Sequence, residues 1–173
     1  GIRLVRGVEA NILDCTGRLD MPDDTLDWLD WVIASLHDLV IQPSSKMDHT
    51  ACWLSIAKNP FVDVIGHCGD PRYAFDLDTV MPAFHHYGKI VEINNHSFEG
   101  RAGSREGCRL VALACMKYRV PVVVSSDAHF VHHIGYFEEA LEMLRDIQFP
   151  EDLILNADAE RFEACLRKKQ TQP

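Results

Sequence analysis

The stretch "VPVVVSSDAHFVHH" (120–133) decides how the chain is read. Val120 and Val122 to Val124 are β-branched and apolar, the composition of a strand buried on both faces. The run does not end in a neutral turn residue. It ends in Asp127 and His129, two apart, with His132 and His133 close behind. A carboxylate and an imidazole at the tip of a buried strand need a partner.

Upstream segments repeat the arrangement. "IRLVRGVEANI" (2–12) reads as a strand, and the apolar run Trp31 to Leu36 within 25–38 as the next, ending at His37. "FVDVIGHCGDP" (61–71) reads as a strand that stops at Gly66, His67 and a Gly-Asp-Pro turn. "KIVEINNHSF" (89–98) and 121–126 complete the set. Between and after them, apolar residues at helical spacing predict helices over 49–59, 77–88 with Gly88 as its stop, 105–120, 134–147 and 159–169. Strands alternating with helices predict one α/β domain over 1–173, a parallel sheet covered by helices.

In such a sheet the C-terminal strand ends share one rim, where sites are built. The ends here carry Glu9, then His37, then His67, then Glu92, Asn94 and Asn95, then Asp127 and His129. Any one of these alone reads as a solvated or capping residue. Five at the same structural place read as ligands for a divalent cation: Glu9, His37, His67, Asp127 and His129. Imidazole suits Zn, Fe, Ni and Cu, and carboxylates also admit Mn and Mg. His49, His85 and His86 lie in or before helices and read as surface residues. His96, His132 and His133 follow strand ends and are weaker candidates to touch a substrate.

Composition narrows the class. A net charge of −9 argues against a nucleic-acid partner held by a broad basic face. No apolar run approaches the roughly 20 residues that span a bilayer, and no segment pairs a basic start with an apolar core. Six cysteines without C-x-x-C spacing read as reduced thiols of a cytoplasmic protein.

"GVEANI" (7–12), "IASLHD" (33–38), "VIGHCGDPRY" (64–73), "VEINNHSF" (91–98) and "VSSDAH" (124–129) together resemble the PHP (polymerase and histidinol phosphatase) superfamily, in particular its small bacterial metal-dependent phosphatases. The resemblance implies a distorted seven-stranded (βα) barrel with up to three metal ions, usually zinc, that hydrolyses small phosphate monoesters through metal-activated water. By the same resemblance Glu9 bridges the first two metals and His37 and His67 complete the second. Asp127 matches a ligand of the first metal and His129 one of the third, with Glu9, His67 and Asp127 carrying the chemistry.

The family's His-x-His segment has no counterpart before Glu9. The chain therefore reads as the C-terminal portion of such a protein. It would form an incomplete barrel of about five strand–helix units, with weak or absent turnover and two unpaired strand edges open to self-association. Asn95, Arg105 and Arg109 are the candidates to hold the phosphorylated substrate, with Arg101 beside them, since Arg binds phosphate in a bidentate way. Two other classes fit the same ligands: a barrel-type metal-dependent amidohydrolase and a non-catalytic metal-binding remnant. A polymerase-associated module of the same superfamily is disfavoured by the acidic charge.

Overall fold

The computed structural model describes residues 4–100 and 102–171, the side chains of 167–171 excepted. The first residues of the strand expected over 2–12, and Arg101, lie outside the described residues. Among the described residues five strands form one sheet: β1 (Gly7–Asn11), β2 (Trp31–Ser35), β3 (Val64–Ile65), β4 (Ile90–Asn94) and β5 (Val122–Ser125). Among the described residues the seven α-helices are α1 (Asp23–Trp28), α2 (Lys46–Lys58), α3 (Leu77–His86), α4 (Ser97–Gly100), α5 (Ser104–Tyr118), α6 (Glu138–Asp146) and α7 (Ala159–Thr171).

All neighbouring strands pair in parallel, in the order β1-β2-β3-β4-β5. Sheet order equals chain order, without the reversal of a doubly wound sheet. Right-handed crossovers in a single direction put the connecting helices on one face. The expected barrel is not seen, because β1 and β5 do not pair among the described residues and the sheet stays open.

Side chains alternate between the two faces of each strand. One face presents Val32, Ala34, Ile65, Val91, Ile93, Val122 and Val124 to the main core, filled by Trp53 and Ile56 of α2, Met81 and Phe84 of α3, Val111 and Cys115 of α5, and Leu144 of α6. The opposite face is divided along its length. Near the strand starts Val64, Ile90 and Val123 pack with Trp31, Ile33, Leu155 and Cys165. There α7 lies across the sheet, its Phe162 ring edge-on to Trp31 at 5.3 Å. Near the strand ends the same face turns polar, carrying Glu9, Ser35, Glu92, Asn94 and Ser125.

One strand differs from expectation. The strand expected over 61–71 is only two residues long as β3. Its path is diverted at His67, where φ is +24°, just after Gly66. A Cβ on Gly66 would lie 2.0 Å from Ser35 Oγ, so only glycine lets β3 pass the hydroxyl there.

The sheet edges are unequal. The outer edge of β5 is closed by the segment before α7: Val122 bridges Ile154. Val124 N–H donates to Asn156 Oδ1 at 3.0 Å, and Asn156 Nδ2 donates back to the Val124 carbonyl at 2.8 Å. One side-chain amide thus does the work of a neighbouring strand. On β1, Asn11 N–H donates to Asp20 Oδ1 at 2.9 Å and its carbonyl accepts from Asp20 N–H at 3.1 Å. Arg6 and Ile12 bond towards β2, so by alternation the backbones of Gly7 and Glu9 face outward. Of the two long open edges expected, one is closed and the other is two residues of β1.

Asn156→Ala would leave the Val124 amide and carbonyl without partners, at a cost of about 1–2 kcal/mol. A fall in melting temperature of roughly 2–8 °C is expected, with increased self-association at high concentration. Thermal melts and light scattering check both.

Candidate metal centre

Glu9 leaves β1 on the polar face, two residues before its end. His37 follows β2 by two residues and His67 follows β3 by two. The parallel register aligns these ends: Glu9 pairs with Ile33 and Asn11 with Ser35. Their side chains meet. Glu9 Oε1 lies 3.1 Å from His67 Nε2 and 3.5 Å from His37 Nε2, and the two Nε2 atoms are 3.0 Å apart. Among the described residues this is the group whose His, Cys, Asp or Glu donor atoms could jointly hold a metal.

The ring orientations are set from behind. Asn11 Nδ2 donates to Asp20 Oδ2 at 2.5 Å, which fixes the Asn11 amide with its oxygen towards His37. Asn11 Oδ1 lies 2.8 Å from His37 Nδ1. A carbonyl oxygen only accepts, so Nδ1 carries a proton, and Nε2 is the nitrogen that faces Glu9 and would ligate a cation. Asp20, Asn11 and His37 thus form the relay that orients metal-binding imidazoles. Ser35 Oγ–H donates to Glu9 Oε1 at 2.7 Å. The two imidazoles, with this hydroxyl, hold the Glu9 carboxyl well below the usual carboxylate range. It is ionised wherever the protein is folded near neutral pH.

The donor set fits a divalent cation. Bonds of 2.0–2.1 Å at tetrahedral angles separate donor atoms by roughly 3.3 Å, close to the 3.0 to 3.5 Å seen here. Three protein ligands leave a further position open, the pattern of catalytic zinc sites.

A second layer lies beneath, on β4 and β5. Glu92, only 6% exposed, accepts from His67 N–H at 2.8 Å on Oε2 and from Ser125 Oγ–H at 2.7 Å on Oε1. Burial raises its pKa, against the Ser125 hydrogen bond and the nearby His67. Asn94 Nδ2 lies 3.0 Å from Asp127 Oδ2 and 3.5 Å from Glu92 Oε2. Asp127 therefore stands at the same rim, tied through Asn94 to Glu92. His129 points its Nδ1 at the Asp127 carbonyl, 2.8 Å away, which leaves Nε2 as its free acceptor. It sits on an exposed loop with its ring 4.8 Å from that of His96.

The candidate substrate residues have other uses. Asn95 is buried, and its Oδ1 accepts Ala140 N–H at 3.0 Å, pinning α6 to the end of β4. One step along a strand reverses the face: Asn94 looks into the site and Asn95 into the core. Arg105 pairs with Glu139 and stacks 5.3 Å over Phe98. Arg109 lies 3.7 Å from Glu106. Both arginines are exposed, and such pairs are weak enough to open for an anion. His85 and His86 are exposed as expected, but His49 is buried. Ser44 N–H donates to its Nε2 at 2.9 Å and its Nδ1 meets the Ala74 carbonyl at 3.0 Å, so it ties the start of α2 to the loop before α3.

Sequence reasoning left Asn11, Asp20, Ser35 and Ser125 out of the site and put Glu92 at the rim without a role. The signal that could have found the strand residues is alternation, since Glu92 and Asn94, like Ser125 and Asp127, share one face. The cysteines contribute no ligand. Among the described residues the six cysteines form no disulfide, and burial drives the thiol of Cys68, next to His67, well up and that of Cys52 up to about 12.

Fold and site define an α/β protein with a three-donor His/Glu cluster at the C-terminal rim of a parallel sheet. No protein-family model matches the chain. Curated relatives do. The chain is 40% identical over 170 residues to a protein of Acetivibrio thermocellus named a probable phosphatase, covering 98% of this chain and 70% of that one. A probable phosphatase of Caldanaerobacter subterraneus subsp. tengcongensis is 43% identical over 172 residues, covering 98% and 68%. One of Clostridium botulinum is 41% identical over 169 residues, covering 98% and 70%. The chain belongs to this family of bacterial probable phosphatases. Among the described residues no helix is long and apolar enough to cross a membrane.

Asn11→Leu removes the acceptor that orients His37. Zinc affinity is expected to fall about ten-fold or more, while the melting temperature changes little. Isothermal titration beside thermal melting checks it.

Proposed function

We propose that the protein is a metal-dependent phosphoesterase of the PHP type acting on small phosphate monoesters. The observation that carries the reading is the convergence of Glu9, His37 and His67 in cation-binding geometry, in a chain whose relatives are named probable phosphatases. Zinc suits the donors best, with Mn, Fe or Mg as alternatives. A bound divalent cation supplies Lewis acidity to a phosphoryl oxygen and lowers the pKa of a coordinated water.

The chain's own residues do the rest. Glu9 brings the negative charge that retains a cation, and His37 and His67 offer neutral lone pairs. Asp127, held by Asn94, would supply the carboxylate for a second cation or for the proton of a bound water. His129, with Nε2 free, is the outer ligand. Arg105 and Arg109 exchange their glutamate partners for phosphate oxygens. The same reading puts any pairing with a second copy at the outer edge of β1, next to Glu9.

Hydrolysis of p-nitrophenyl phosphate after chelation and after readdition of zinc or manganese tests this. Metal-dependent release of nitrophenol is expected, reduced at least 100-fold in Glu9→Gln and His67→Ala. A metal-dependent activity on a cyclic amide instead would give the site to the amidohydrolase class. Tight zinc binding with neither activity would leave a metal-binding domain.

A further inference from the structure

Of the four non-glycine residues with positive φ among the described residues, His67 (+24°) and Asp127 (+46°) are both strand-end residues of the candidate site. Such conformations are sparsely populated and persist only where the surroundings over-determine them. Both lead back to one side chain. His67 N–H donates directly to Glu92 Oε2 at 2.8 Å. Asp127 is held by Asn94 Nδ2 at 3.0 Å, the amide that also faces Glu92 at 3.5 Å. Ser125, two residues before Asp127, donates to Glu92 Oε1 at 2.7 Å. A buried carboxylate between β3 and β5 is costly to keep, and an apolar residue of similar volume would commonly serve stability as well or better.

We propose that Glu92 is a positioning residue: it holds the turned backbone of His67, and with it Nε2, in the metal-binding geometry, and sets Asp127 at a fixed distance from the triad. The assignment rests on the reading of Glu9, His37 and His67 as a metal site. Glu92 makes no contact with the cation or substrate. It acts through the His67 amide on one side and through Asn94 and Ser125 on the other.

Two substitutions separate positioning from packing. In Glu92→Gln the amide oxygen can still accept His67 N–H, and the new NH2 can donate to Ser125 Oγ, whose hydroxyl rotates. This variant is expected to bind zinc within about three-fold of the parent. Glu92→Leu keeps the volume and loses every acceptor, and its zinc affinity is expected to fall about ten-fold or more. Isothermal titration with zinc reads affinity. The visible spectrum of the cobalt-loaded proteins reads coordination geometry and should shift in Glu92→Leu but not in Glu92→Gln. Circular dichroism melting reads the fold separately.

Should Glu92→Leu not fold, Glu92→Asp replaces it, since one methylene less withdraws the oxygen from His67 N–H and should cause the same loss. A folded Glu92→Leu or Glu92→Asp with parental zinc affinity and an unchanged cobalt spectrum overturns the assignment alone. A parent protein that binds neither zinc nor cobalt overturns the metal site itself, and the role of Glu92 with it.

Discussion

All five strands run the same way, and neighbours in the chain are neighbours in the sheet. That constraint delivers the C-terminal residue of each strand to one rim and, through the period of two, to one face of it. Glu9, His37 and His67 are 28 and 30 residues apart in sequence. They become a cluster only because parallel register cancels those separations. An antiparallel pairing anywhere between β1 and β3 would send one of the three to the far end of the sheet.

The same face serves two purposes along its length. At its start, Trp31, Ile33, Val64, Ile90 and Val123 bury against α7 and its approach. At its end, Ser35, Glu92, Asn94 and Ser125 form a hydrogen-bonded layer under the donors. Neither half is free to change alone, because β2, β4 and β5 contribute to both. Close packing carries the constraint outward. A Cβ on Gly107 of α5 would lie 1.9 Å from the Gly69 carbonyl oxygen, so that helix rests directly on the loop leaving His67. The loop's position is therefore set by hydrogen bonds from below and backbone contact from outside.

Much of this was legible before the structure. The helices follow their periodicity, and α3 gives way to Gly88, whose φ of +66° lies in the left-handed region. Glu9, His37 and His67 declared themselves as polar residues at the ends of apolar runs. Sequence separation hid other features. β3 was overread because Phe61 and Val62 are as apolar as a strand but precede it, packing in the core without a ladder of their own. His49 looked like a surface residue of an exposed helix start. Its burial depends on a loop 25 residues away, which no local pattern encodes. Asp20 and Asn11 gain their meaning only from whom they touch. Asn95, read as a substrate residue, stands one position from Asn94, and one step along a strand reverses the face.

The unequal edges of the sheet bear on how copies of the chain could meet. A strand edge that is open at both sides of a sheet permits head-to-tail addition without limit, the route to filaments. Here Asn156 and Ile154 occupy the β5 side, so the free backbone of β1 has no complementary edge on another molecule except another β1. Pairing of like with like is isologous and closes after one step. The amide of a single asparagine thereby takes away one of the two backbone edges through which the described strands could pair with another chain.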